Sequence, residues 1–275
     1  MTVPDISSAA NPRIKALVRL RNRRERDAAG RFLIEGYREL ARAIDGGVSI
    51  ETLFTCPELY LGDNDVGLAA RVVATGAELV AVAEEPFRKA SYRDRPEGLL
   101  AVAVQFPTGI DRLDLTGTPL LLVAEGIEKP GNLGTMLRTA EAAGATGVIV
   151  ADATTDPFNP NVVRASLGTL FTVPLAIAAS AEALGALRAA GIRVVATTPA
   201  GEAAHFATDL TGPTALVVGS EQYGLSTAWL EGADQRIVIP MPGSVDSLNA
   251  AMAAGIVLFE AVRQRAIASS ADDTG

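Results

Sequence analysis

From Leu120 onward the chain alternates short, almost continuous apolar runs with alanine-rich stretches of helical period, and no other feature constrains the fold as much. Leu120–Ala124, Val148–Val150, Val173–Ala178, Val194–Ala196, Ala215–Val218 and Ile237–Ile239 read as strands. A strand that is apolar at successive positions is covered on both faces, which is how parallel strands are buried. Between these runs, Asn132–Ala143, Val162–Leu170 and Ala181–Ala190 read as helices, and Ser247–Arg265 as a long final helix. The alternation predicts an α/β unit built on a parallel sheet with helices on both faces.

The first hundred residues follow a different pattern and predict a smaller α/β unit. Asn11-Pro12 looks like a helix start, with Ile14, Leu17, Val18 and Leu20 at helical spacing behind it. Arg31–Glu35, Glu51–Thr55, Glu78–Ala83 and Leu99–Phe106 are strand candidates, with helices over Tyr37–Ile44 and Val66–Thr75. Pro107–Pro119 is rich in turn formers and has no helical period, so it reads as a linker. The expected division is therefore 1–106 for the first domain, 107–118 for the linker, 119–268 for the second domain and 269–275 for a frayed tail. A length of 275 residues accommodates two such domains.

Several function classes fall away on residue counts. With 1 cysteine (Cys56) and 1 histidine (His205), no disulfide framework, cysteine-rich zinc site or iron–sulfur site can be built, and no metal is expected. No apolar run is long enough for a membrane helix and no secretory leader opens the chain, which together predict a cytoplasmic protein. There is no G-x-G-x-x-G after a strand, no P-loop and no G-x-S-x-G. The net charge of -8 argues against general attraction to nucleic acid, but it is unevenly distributed. Residues 11–31 hold Arg13, Lys15, Arg19, Arg21, Arg23, Arg24, Arg26 and Arg31 against two acidic residues, a local +6 that leaves -14 elsewhere. Such a segment is either a phosphate-binding face or a solvated helix surface.

Three glycine- and proline-marked segments follow three strand candidates of the second half. In Glu125–Arg138 (EGIEKPGNLGTMLR), Asn132 sits where a helix cap belongs, and Arg138 is a cation in a helix otherwise apolar or small. Val218–Ser226 (VGSEQYGLS) is a strand end running into a tight loop with Glu221. In Ile239–Asn249 (IPMPGSVDSLN), two prolines around Met241 stiffen the backbone before Ser247 and Asn249 open a helix. Each segment alone could be ordinary turn and cap chemistry.

Taken in order, Glu125-Gly126 with Asn132 and Arg138, Gly219-Ser220-Glu221, and Ile239-Pro240-Met241 with Ser247-Leu248-Asn249 resemble the three motifs of the SpoU/TrmH family of RNA 2′-O-ribose methyltransferases. The resemblance covers the whole second domain, including Val163–Phe171, and Asn11–Ala43 resembles the substrate-binding domain that many members carry. It implies the SPOUT fold with a deep trefoil knot, S-adenosylmethionine as cofactor and a homodimer formed through the knotted domain. Gly219, Ile239, Met241 and Leu248 would meet the cofactor, while Asn132, Glu221, Ser247 and Asn249 would orient Arg138, the ribose and the cofactor. Arg138 would either assist deprotonation of the 2′-hydroxyl or fix the phosphate and stabilise developing alkoxide charge. The resemblance also implies 23S-type ribosomal RNA as substrate, because members with an added N-terminal domain, here about a hundred residues, mostly resemble ribosomal RNA methyltransferases. Transfer RNA is the alternative, as is a non-catalytic RNA-binding or ribosome-assembly protein that keeps the fold.

Overall fold

The structure is a computed structural model that describes residues 4–272. The chain divides into two compact units, 4–106 together with Asp156–Thr172, and Pro107–Thr155 together with 173–272.

The first unit begins with α1 (Pro12–Arg19) and α2 (Arg23–Ala29), capped by the side chains of Asn11 and Asn22 as the Asn-Pro start suggests. Then follow β1 (Arg31–Glu35), α3 (Tyr37–Asp45), β2 (Ile50–Thr55), α4 (Asn64–Ala74), β3 (Glu78–Ala81), α5 (Glu84–Ala90) and β4 (Leu99–Val104). The strands form a mixed sheet in the order β1-β4-β2-β3. Ile14, Leu17, Phe54, Val80, Phe87 and Leu100 fill its core on one side. The helix α5 escapes the sequence reading because Pro86 sits inside it, where the missing N–H costs nothing in a first turn.

Asp156–Thr172 was expected in the second domain, yet it packs within the first unit. Two physical reasons stand out. Phe158 and Phe171 stack with Phe32 at centroid distances of 5.0 and 6.0 Å, joined by Phe106 at 4.9 Å from Phe158. Beside this cluster the guanidinium of Arg26 donates to Asp156 Oδ2 at 2.5 and 3.0 Å, with the two side chains only 1% and 7% exposed. Arg26 Nη1 also donates to the carbonyls of Leu20 and Arg21, so the buried cation is well satisfied. The helix α7 (Pro160–Ser166) in this segment is shorter than the expected Val162–Leu170, because Leu167 (φ 50°) and Gly168 (φ 85°) turn left-handed and stop it.

The second unit carries β5 (Leu120–Glu125), α6 (Pro130–Ala142), β6 (Gly147–Ala151), β7 (Leu175–Ala178), α8 (Ser180–Ala189), β8 (Arg193–Thr197), β9 (Ala203–Ala204), β10 (Thr214–Val218), α9 (Thr227–Gly232), β11 (Gln235–Val238) and α10 (Ala250–Asp272). All strand pairs are parallel, in the order β7-β6-β5-β10-β8-β11-β9. The apolar runs β5, β6 and β10 are buried at every position, as expected for central parallel strands. The expected linker is not a free tether: Leu113 is buried in this unit's core, Ile110 and Leu115 pack against it, and Thr108 accepts from Ile177 N at 2.7 Å. The expected frayed tail is helical as far as Asp272, and 273–275 lie outside the described residues. No helix among the described residues is long and apolar enough to cross a membrane.

The Arg26–Asp156 pair generates a direct expectation. Asp156→Ala leaves a buried guanidinium without its counter-charge and should destabilise the protein by about 3–5 kcal/mol. Urea unfolding would measure this as a lower midpoint; an unchanged midpoint would refute the assignment.

Candidate functional site

In a parallel sheet with helical crossovers, the carboxyl ends of the strands share one edge, and ligands bind in the loops beyond that edge. Here the chain leaves β8 through Thr197-Thr198-Pro199, β10 through Gly219–Leu225 and β11 through Ile239–Leu248. These segments line a cavity of about 400 Å³, within the range of small-molecule and cofactor sites. Leu225, Leu230, Val238, Ile239 and Leu248 supply apolar walls, and Ser220, Glu221 and Ser247 lie among the polar groups.

Gly219 is required by close approach. A Cβ placed there would lie 2.2 Å from the carbonyl carbon of Gly224, so any side chain would push the Ser220–Gly224 turn outward. That turn is closed by two backbone hydrogen bonds of 3.0 Å between Ser220 and Gly224, and Gly224 takes φ 67°. The buried Glu125 carboxylate at the end of β5 accepts from Ser226 N at 2.9 Å and ties this loop to its neighbour.

A hydrogen-bonded chain connects the three motif segments. Asn249 Oδ1 accepts from the backbone N–H of Ala251 and Met252 at 3.0 and 3.3 Å, capping α10. That fixes the amide's orientation, so Asn249 Nδ2 donates to Asn132 Oδ1 at 3.0 Å. The second amide is thereby oriented too, and Asn132 Nδ2 donates to the Glu221 carboxylate. Glu221 Oε2 also accepts from Glu128 N at 3.3 Å. Asn132 is thus not a helix cap: α6 begins at Pro130 with Lys129 preceding it, which leaves the Asn132 side chain free to reach across. Burial pulls the Glu221 carboxyl up, but its own N–H, the Asn132 amide and the N–H groups of Glu128 and Lys129 outweigh it. The net effect holds the carboxyl below its ordinary value, in the charged form that the chain needs.

The structure gathers Gly219, Glu221, Ile239, Met241, Ser247 and Leu248 around the cavity and brings Asn132 and Asn249 to Glu221. Arg138 is not among the residues that line this cavity. It lies six residues beyond Asn132 on α6, exposed, and makes no hydrogen bond or ion pair among the described residues. Sequence reasoning missed Thr197, Thr198 and Pro199. Their only signal was position at the end of an apolar strand, shared by every strand of the sheet. Thr197 Oγ1 is buried without a hydrogen-bond partner among the described residues, in the wall of the cavity. A buried hydroxyl left unpaired is costly, so a polar ligand atom beside it fits the site. Among the described residues there is no cluster of metal-ligating side chains.

Because the folded-state carboxyl of Glu221 titrates below its ordinary value, its stabilisation is present above that value and is lost as pH falls through the lowered one. The melting-temperature difference between wild type and Glu221→Gln should therefore hold steady from about pH 8 to about pH 5 and shrink only in more acid solution. A difference that already disappears near neutrality would show that Glu221 does not anchor the chain as a carboxylate.

Comparison with known proteins agrees with this geometry. Residues 119–259 match the SpoU rRNA Methylase family, and residues 11–101 match the MRM3-like substrate binding domain. The chain is 36% identical to the 23S rRNA (uridine(2479)-2′-O)-methyltransferase of Streptomyces viridochromogenes, covering 90% of this chain and 87% of that one. A crystal structure of an AdoMet-bound rRNA methyltransferase from Sinorhizobium meliloti is 35% identical, with a TM-score of 0.85 over 94% of this chain and 97% of the other. A crystal structure of an RNA 2′-O ribose methyltransferase is 41% identical, with a TM-score of 0.84 over 95% of this chain and 99% of the other. A motif chain running from Asn249 through Asn132 to Glu221 beside a cavity at the strand ends, in a sequence matched over 119–259, places this protein in the SpoU rRNA methylase family.

Proposed function

We propose that this protein transfers a methyl group from S-adenosylmethionine to a ribose 2′-hydroxyl of RNA, with 23S-type ribosomal RNA as the substrate. The observation that carries this reading is the Asn249–Asn132–Glu221 chain, which joins all three motif segments beside one cavity of cofactor size. The relatives named above support the choice of ribosomal RNA, and the location proposed with that substrate is the cytoplasm.

The cofactor supplies an activated methyl group on a sulfonium; the residues of this chain hold and orient it. The apolar walls at Leu225, Ile239 and Leu248 suit a purine ring, and Thr197 Oγ1 offers the unpaired hydroxyl noted above. Met241 and Gly219 complete the enclosure. Transfer to a ribose 2′-hydroxyl would require that hydroxyl to pass its proton to bulk water, so the residues here would orient the hydroxyl and stabilise the negative charge that develops on its oxygen. Ser247 at the cavity and the Asn249 amide beside it orient the ribose, and Glu221 fixes Asn132 from behind. Arg138, exposed and uncommitted, is the cation available to hold the RNA phosphate and stabilise the developing alkoxide.

The sheet order supports a trefoil knot. Strand β10 inserts between β5 and β8, both formed earlier in the chain, and α10 then returns to pack on α6. A second copy of the chain covers the outer side of α10, where Met252 and Phe259 are 61% and 49% exposed at a spacing of seven residues. This homodimer brings a second protomer's surface to the helix pair from which Arg138 projects.

The N-terminal cations contribute selectively. Arg13 pairs with Glu78, Arg23 with Asp27, Arg31 with Glu51, Arg26 is buried on Asp156, and Arg21 Nη2 donates to the carbonyls of Lys89, Ala90 and Ser91. Lys15, Arg19 and Arg24 remain exposed with no side-chain partner among the described residues, and these are the cations left for RNA phosphates.

Mapping 2′-O-methylation in total RNA from cells with and without the gene tests both substrate and mechanism. One 23S ribosomal mark should vanish on deletion, return with the wild-type gene and stay absent with Arg138→Ala, whose purified protein still binds S-adenosylmethionine. Loss of a transfer-RNA mark would overturn the substrate, and restoration by Arg138→Ala would overturn that residue's role. Separately, Phe259→Glu places a charge in the apolar face and should shift the protein from dimer to monomer in light scattering; a dimer that survives it would place the interface elsewhere.

A further inference from the structure

Aromatic residues make up 5% of the chain, and few of them are exposed: Phe32, Phe87 and Trp229 are each 0% exposed. Tyr223 is 77% exposed, more than Phe206 at 58% or Phe259 at 49%. Unlike those two, it sits on the wall of the cavity, in the same loop as Ser220 and Glu221. From this we propose that Tyr223 is a stacking platform for an unpaired nucleobase of the RNA substrate, adjacent to the ribose that enters the site. The inference rests on the RNA 2′-O-methyltransferase reading given above and adds to it a residue that selects how the RNA is presented.

The backbone under the ring is rigid. Ser220 and Gly224 exchange two hydrogen bonds of 3.0 Å, and Tyr223 N donates to Ser220 Oγ at 3.1 Å. Gly219 lies against Gly224 so closely that no side chain fits at position 219, which fixes the height of the turn above the sheet. On such a turn the backbone is already fixed, and a tyrosine has only two side-chain torsions to order on binding a flat partner. Its phenol makes no hydrogen bond among the described residues, so nothing in the fold engages the side chain. Proteins that read RNA commonly take unpaired bases out of the helix and stack them on aromatic side chains, and every base offers a face for this. A purine of the cofactor would instead be enclosed by the apolar walls below. The exposed ring therefore faces the polymer.

The test is methyl transfer from labelled S-adenosylmethionine to a 23S rRNA transcript, using the full-length protein. Tyr223→Ala should raise KM for RNA between about fivefold and about a hundredfold, the range set by loss of one base–aromatic stack. kcat should change by less than about twofold, because the cation and the amides that serve the reaction are untouched. Calorimetric affinity for S-adenosylmethionine should be unaltered, and Tyr223→Trp should restore the KM. An unchanged KM, or a loss confined to kcat, would overturn the inference. So would weakened cofactor binding in parallel, which would assign the ring to the cofactor, or a shift to monomer in light scattering, which would assign it to the protomer contact. If the wild-type protein transfers no methyl to any RNA, the underlying function falls and this inference with it. If wild type is active and Tyr223→Ala matches it, the inference alone fails.

Discussion

Seven strands of one direction in a single sheet impose the constraint on which the rest of the second unit depends. Parallel pairing forbids tight hairpins, so each strand is followed by a crossover, and loops at the carboxyl ends collect along one edge. Three segments far apart in sequence, 125–138, 218–226 and 239–249, are delivered to one place by this rule alone. The hydrophobic burial of β5, β6 and β10 then holds the edge still, because these strands have no exposed position through which to shift register.

On that edge the polar contacts form a directed chain rather than a set of independent pairs. The first N–H groups of α10 lack intrahelical partners, and Asn249 supplies one. Satisfying the helix end dictates the orientation of the Asn249 amide, which dictates that of Asn132, which delivers a donor to Glu221. A local capping requirement is converted into placement of a carboxylate across the site. The same carboxylate stays charged because backbone N–H groups converge on it, so the order survives over the physiological range of pH.

The first unit uses charge in a different manner. Of the eight cations between residues 11 and 31, Arg13, Arg23 and Arg31 form exposed ion pairs, Arg21 clamps the end of α5 through three carbonyls, and Arg26 is buried on Asp156. Exposed pairs such as Arg13–Glu78 contribute little to stability. The buried pair matters more, since removal of either partner leaves a charge with no water to solvate it. Counting basic residues in sequence thus overstates the charge available to RNA.

The sequence by itself determined the α/β class, the parallel sheet and the three motif segments, because buried parallel strands write their environment as unbroken apolar runs and helices write theirs as a period. It also held the resemblance that the matched family regions later made firm. Boundaries were less legible. Pro130 begins α6 two residues before the expected cap, and Asp156–Thr172 packs within the first unit on the strength of Phe32 and Arg26, residues more than a hundred positions earlier. No periodicity reports such partners. Only the tertiary structure decided that Thr197 has a buried hydroxyl with no partner, that Tyr223 stands exposed at the cavity, and that Arg26 has no charge to spare. Burial and hydrogen-bond satisfaction are properties of a residue's surroundings, and those are assembled from elements that the chain brings together only on folding.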